Sequence, residues 1–359
     1  MYRNTFVEYN LDDIYYNLKW FEDFTNKKMM AIIKANAYGA IDYYLAHKLE
    51  NKGVDFFAVS NLEEAIRLRK HGINSKILIM GYVKNLDVVK EYDLAIIIPT
   101  FEYVERFKNE LKDVKVHIKV NTGLNRLGIF EEETEDVLNA LLYVGAKVEG
   151  IMTHFACNEN EEYTKMQYER FKSIVESIDY KFKYIHAEAT DSALYLKDNI
   201  SNYARIGLGF FGYANIKHNA PLKSAVSLKA EVIYSRKVKE GEGVSYSHHY
   251  YSDGESYINT VAIGYADGLS KRYEGLKVLV GDEEGMIVGT VCMDLMMVKT
   301  KSKHEVGELV EIFGDNISLE SRRDELNTGI CRLMTDISDR PTKVFIENGK
   351  VVDEIIVRD

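Results

Sequence analysis

Eight short apolar runs alternate with charged, amphipathic stretches as far as Leu208, and this alternation limits the possible folds most sharply. The runs are Met29–Lys34, Phe56–Ser60, Lys76–Met80, Leu94–Ile98, Val116–Val120, Val148–Phe155, Tyr184–Ala189 and Tyr203–Leu208. Several are apolar throughout, the pattern of parallel strands covered on both faces. The segments between them have helical character, as in Leu62–His71 and Tyr163–Ile178. Gly72 follows the first of these, where a helix C-cap favours a residue able to take positive φ. Strands and helices in this number and order make a (β/α)8 TIM-type barrel. The alternative, an open doubly wound sheet, usually has fewer strands and a Gly-rich first turn, and no G-x-G-x-x-G follows the first run.

Beyond Pro221 the pattern changes to short alternating runs separated by Gly and Asp turns: Lys229–Tyr234, Tyr257–Ile263, Lys277–Val280, Met286–Val288, Leu309–Phe313 and Lys343–Ile346. This is the signature of a mostly antiparallel β domain. The expected division is a barrel over residues 1–221 and a smaller β domain over 222–359, which suits a chain of 359 residues. A net charge of −10 argues against nucleic acid as the main partner, since no basic field is available to release counterions. Cys157, Cys292 and Cys331 lie far apart and form neither a metal-ligand spacing nor a disulfide framework. Charged residues interrupt the N-terminal stretch, and no apolar run approaches the roughly 20 residues that span a bilayer. The expectation is a cytoplasmic protein with no membrane partner and no metal.

Catalytic groups on a barrel sit at the C-terminal ends of its strands. Reading those ends yields Lys34, Lys119 with the loop Asn121–Gly128, His154, Thr190 and Arg205. For any one of them the competing reading is a side chain that snorkels to solvent. Thr190 and the Gly207–Gly209 stretch follow the seventh and eighth runs, where barrels hold phosphate. Lys34 ends an apolar strand, where partial desolvation frees an amine for Schiff-base chemistry. A Schiff-base lysine and a phosphate cradle on a barrel point to pyridoxal 5′-phosphate (PLP).

The motifs Lys34-Ala35-Asn36-Ala37-Tyr38-Gly39, Val116–Gly128, Thr153–Ala156 and Arg205–Leu208 resemble those of the alanine racemases, PLP enzymes of fold type III. In the β domain Ser245-Tyr246, Gly264–Gly268 and Val288–Asp294 fall in that family's order, so the resemblance spans nearly the whole chain. It implies that Lys34 and Tyr246 are the two acid–base groups, with Tyr246 supplied by the second subunit of a homodimer that shares its active sites. Arg205 is implied to bond the pyridine nitrogen, and Thr190, Tyr38, Gly207 and Leu208 to hold the phosphate. His154 is implied to lie near the cofactor, while Arg126, Met293 and Tyr265 meet the amino-acid substrate. Lys119, carbamylated in several relatives, would orient Arg126, with Asp294 in a supporting place. The implied activity is interconversion of L- and D-alanine, which supplies D-amino acid for peptidoglycan.

Blander readings compete at several positions. In a chain of 25 tyrosines, Tyr246 and Tyr265 can be ordinary packing, and His154 a satisfied core histidine. His248-His249 reads as a solvated loop, Glu131–Asp136 as an exposed helix start, and the side chains of Met286, Met293, Met296 and Met297 as core filler. The sequence departs from the family at Asp339 (usually Tyr), Asn121 (usually Asp), Ala189-Thr190 (usually Asn-Ser) and Ser247–His249 (usually a Gly-containing turn). Loss of a bulky Tyr leaves room for a racemase that prefers serine or another amino acid. A catalytically weak PLP-binding regulatory protein is the alternative from a different class.

Overall fold

A computed structural model describes residues 3–357, which divide into two compact units. The first comprises Tyr15–Phe210 and Ala214–Leu222. Its strands are β2 (Lys28–Ile32), β3 (Phe56–Val59), β4 (Lys76–Ile79), β5 (Ala95–Ile98), β6 (Lys115–Lys119), β7 (Lys147–Met152), β8 (Tyr184–His186) and β9 (Tyr203–Ile206). They pair in parallel in sequence order, and β9 returns to β2. A parallel bridge between Ala189 and Arg205 joins the remaining gap, so the barrel expected from the eight apolar runs is present. Each strand falls within a residue or two of its predicted run, except that β7 and β8 end three residues before their runs do. The predicted helices are also present, as Leu62–Lys70 and Glu161–Ser177, with Gly72 at φ +83°.

Alternation along the strands decides what fills the barrel. Met30, Ile32, Phe56, Ala58, Leu78, Ala95, Ile97, Met152, Tyr184 and Tyr203 pack into one interior cluster. Phe56, Tyr184 and Tyr203 meet edge to face, with ring centroids 5.1–5.6 Å apart, and form an aromatic plug. Two residues further along the same parity come Lys34, His154, His186 and Arg205, and β6 adds His117 and Lys119. Polar groups on the inward face therefore lie C-terminal to an apolar floor.

The other unit takes the chain up to Ile14, then Phe211–Tyr213, and everything from Lys223. It contains β1 (Thr5–Asn10), β10 (Val226–Val238), the short pair β11 (Gly243–Val244) and β12 (Tyr250–Tyr251), and β13 (Ser256–Val261). Then follow β14 (Lys277–Val280), β15 (Glu283–Ile287), β16 (Met296–Thr300), β17 (Leu309–Phe313), β18 (Thr342–Glu347) and β19 (Lys350–Ile355). Six of these form a closed ring, β10-β13-β16-β15-β14-β17, because the long β10 pairs with both β13 and β17. The domain is antiparallel, as expected, except where β1 runs parallel to β18.

Two expectations are revised. A single boundary at Pro221 misplaces the start of the chain, because β1 pairs with β10 and β18 and so belongs with the C-terminal strands. The domain is mostly β as expected, with two short helices, Leu319–Leu326 and Ile330–Asp336. Met296 and Met297 are buried as expected, but Met286 and Met293 are exposed.

Candidate active site

Lys34 follows β2 and begins a turn in which Ala35, Asn36, Ala37 and Tyr38 all take left-handed backbone angles, φ 51–57°. Left-handed backbone costs roughly 1–2 kcal/mol per non-glycine residue, so the surrounding structure must hold such a turn in place. The turn leaves Lys34 half-buried and carries Tyr38 back to the barrel wall, where a Cβ at Gly207 would collide with its hydroxyl. Gly207 must therefore lack a side chain if Tyr38 is to lie against that backbone. Thr190 starts a short helix, and its Oγ1 accepts from the N–H groups of Gly207 (3.4 Å) and Gly209 (3.2 Å). Hydroxyls and small residues here make a cradle suited to an anion.

Arg205 is buried on β9 and is held by the C-terminal ends of β7 and β8 and the residues just beyond them. Nη1 donates to the His186 carbonyl (2.6 Å) and to His186 Nδ1 (3.1 Å). Nη2 donates to the carbonyls of Thr153 and Ala187, both at 2.8 Å, and to His154 Nδ1 at 3.1 Å. Among the described residues none of its hydrogen bonds uses Nε, which leaves that N–H for a ligand. Burial lowers the Arg205 pKa to about 10, against the pull of Glu188 and Asp198, so the group stays charged at neutral pH.

Arginine can only donate, so both histidines must accept through Nδ1 and carry their proton on Nε2. His186 Nε2 then donates to His117 Nδ1 across 2.8 Å. Burial holds His117 down to about 3 and His186 well below the usual value, the latter helped by Arg205. His154 is also lowered to about 3, first by burial and then by the charges of Arg205, Arg126, Lys119 and Lys34. That set of neighbours shows these cations gathered on one rim. Lys119, almost fully buried, is lowered to about 8 by burial and by repulsion from Arg126 and Arg205. No hydrogen bond links Lys119 to the exposed Arg126 among the described residues.

In the β-domain unit, Tyr246 lies between Ser245 (φ 65°) and Ser247 (φ 58°) and is 71% exposed. Ser245 Oγ donates to the Thr290 carbonyl at 2.7 Å, which ties this turn to the Val288–Asp294 loop. The same loop accepts from the Tyr265 and Ala266 N–H groups through Cys292 and Met293, both at 2.9 Å. Tyr246, Tyr265 and Met293 are thus exposed large side chains on connected loops, and the packing reading of the two tyrosines fails. Arg340 binds Asp294 at 2.7 Å and lies 3.5 Å from Asp267. Asp339 is exposed, and its charge acts on the buried Lys343. His248 and His249 are exposed, and no metal-ligating cluster occurs among the described residues.

Sequence reasoning missed His117, His186 and Glu64, the last of which bonds the Ala35 N–H at 2.7 Å. The two histidines carry a legible signal, since both fall on the inward parity of their strands.

Residues 9–215 match the profile of the alanine racemase N-terminal domain, and residues 225–345 match that of the C-terminal domain. The chain is 34% identical to an alanine racemase of Macrococcus caseolyticus, over 99% of this chain and 98% of the relative. A crystal structure of alanine racemase from Bacillus anthracis with bound L-Ala-P superposes with a TM-score of 0.92 at 32% identity, covering 99% of this chain and 98% of that one. A histidine racemase from Leuconostoc mesenteroides superposes at 0.89 with 26% identity, covering 96% and 98%. An amine, a donor-only arginine and an anion cradle on one barrel rim, followed by a β domain that exposes a tyrosine between two positive-φ serines, agree with both profiles: the chain belongs to the alanine racemase family.

Proposed function

We propose that this chain interconverts L- and D-alanine, using pyridoxal 5′-phosphate bound covalently at Lys34 and a tyrosine from a second subunit. The observation that carries the reading is the convergence of Lys34, Arg205 and the Thr190–Gly207 cradle at one end of the barrel. The residues fit the cofactor: an amine for its aldehyde, Arg205 Nε for its ring nitrogen, and Tyr38, Thr190, Gly207 and Leu208 for its phosphate. When bound, the cofactor supplies an electron sink that acidifies the substrate Cα–H.

Arg205 gives the ring nitrogen a hydrogen bond and keeps its own proton, which moderates that sink and disfavours side reactions. Lys34 exchanges a proton with Cα on one face, and Tyr246 does so on the other, as inversion requires. Arg126 and the Met293 N–H receive the substrate carboxylate, with Tyr265 beside it and Asp294 supporting the loop through Arg340. Lys119 positions Arg126. A charged amine there would repel the guanidinium, so the neutral or carbamylated form suits the role, in line with its lowered pKa. His154 stays neutral and steadies Arg205. The exposure of Tyr246, Tyr265 and Met293 supports a homodimer in which each β domain completes its partner's site. The product would serve peptidoglycan synthesis in the cytoplasm.

The test is incubation of PLP-loaded protein with L-alanine in D2O. The expected result is deuterium at Cα with inversion, while absence of exchange with any amino acid overturns the reading. A larger substrate is the second reading, favoured by Asp339 in place of the family's Tyr and by the likeness to a histidine racemase. Faster turnover of serine or histidine in the same assay would select it.

A further inference from the structure

The geometry points to Glu64 as the positioning residue of the proposed cofactor lysine: its carboxylate clamps the left-handed turn that begins at Lys34. The helix Leu62–Lys70 starts with Asn61 as N-cap, whose Oδ1 accepts from the Glu64 N–H at 2.9 Å. Asn61-Leu62-Glu63-Glu64 has the spacing of a capping box, in which the glutamate reaches back to the N-cap residue's own N–H. Here the carboxylate does something else. Oε2 accepts from the N–H of Ser60, just beyond β3, at 2.8 Å, and Oε1 accepts from the N–H of Ala35 at 2.7 Å. A local capping device is thus diverted to the residue after Lys34, and one carboxylate ties together the chain leaving β2 and β3.

The turn needs such a clamp. Ala35 to Tyr38 hold the left-handed conformation without a glycine among them, and only Gly39 (φ 91°) ends it. Within the turn the Ala37 N–H reaches the Ile33 carbonyl at 2.9 Å, and the Asp42 N–H reaches Asn36 Oδ1 at 3.1 Å. One helical turn beyond Glu64, Arg67 Nε holds the buried Asp42 carboxylate at 3.0 and 3.1 Å. Glu64 grips the near end of the segment and Arg67 the far end, both from one helix. Glu64 is the member next to Lys34, so it sets where the amine leaves the barrel wall. A carboxylate accepts two N–H bonds there, whereas an amide has one acceptor oxygen and cannot satisfy both.

This inference rests on Lys34 being the cofactor lysine. Its test uses the full-length, PLP-loaded protein in four forms: wild type, Glu64→Gln, Glu64→Ala and Asn61→Ala. Amide exchange over residues 35–39 is expected to quicken about tenfold or more in Glu64→Ala and less in Glu64→Gln. Release of PLP into a scavenging buffer should quicken in the same order. Asn61→Ala removes the cap but keeps the clamp, and should leave both rates near wild type. Equal rates in wild type and both Glu64 variants overturn the proposal. An Asn61→Ala effect as large as that of Glu64→Ala also overturns it, because helix fraying would then be the cause. Borohydride fixation and peptide mapping of the wild type checks the premise separately: the label is expected on Lys34. A label elsewhere overturns the cofactor reading and the positioning role with it, whereas unchanged exchange condemns Glu64 alone.

Discussion

Tyr246 and Arg205 are held in two opposite ways. Arg205 is fixed by five hydrogen bonds that occupy both Nη atoms, so its orientation is decided before any ligand arrives. Tyr246 is exposed on a turn whose neighbours Ser245, Ser247 and His248 all take positive φ. Strain of this kind persists where the surroundings over-determine it, and Ser245 is duly anchored at Thr290. Tyr246→Phe removes only the hydroxyl and should lower racemisation by about 10²–10⁴-fold. Cα deuteration from one enantiomer should survive, since Lys34 still serves its own face. Wild-type inversion by Tyr246→Phe would remove the hydroxyl from the mechanism. Tyr246 and Lys34 could be picked out because they stand in short motifs. Glu64 could not, because its sequence context is that of an ordinary helix cap.

Strand β7 shows how an element makes room for a buried polar chain. Its pairing with β6 slips between Val116 and His117, and Gly150 comes opposite the His117 ring. A Cβ at Gly150 would lie 2.5 Å from His117 Nδ1, the atom that accepts from His186. Gly150→Ala should therefore cost about 1–3 kcal/mol and disturb the His117–His186–Arg205 chain. The check is a lowered denaturation midpoint together with weakened PLP binding. If stability falls but PLP affinity holds, the chain of histidines does not position Arg205. At this scale much was legible in advance, since the apolar runs located all the barrel strands and the Gly72 cap ended its helix as read. β1, β11, β12, β16 and β19 match none of the expected runs. β19 alternates only weakly and lies largely exposed, so burial left little trace in its sequence.

For the whole molecule, the buried histidines make stability depend on acid. His117 titrates near 3 in the folded protein and near 6.5 when unfolded, and His186 is depressed in the same sense. Their contribution is fully present above pH 6.5 and is lost as pH falls from 6.5 toward 3, because only the unfolded chain binds the protons. Each adds a slope of up to about 1.4 kcal/mol per pH unit in that window. Urea unfolding between pH 4 and 7 should show it, and His117→Phe should flatten it by about one histidine's share. An unchanged slope would mean that His117 is protonated in the fold.

By itself the sequence determined the barrel, the β domain after it and the motifs that mark the family. Each of these is written in local pattern: strand period, helix period and short motifs in order. Tertiary structure alone decided that β1 joins the C-terminal sheet, where it lies between two strands more than 200 residues away. It alone decided that His186 and His117 carry Arg205's hydrogen bonds inward, and that Glu64 turns from its own helix to the turn at Lys34. These are non-local choices of partner. Hydrogen-bond donors and acceptors have the same chemistry wherever they lie along a chain, and only the closing of the barrel brings the chosen ones within reach.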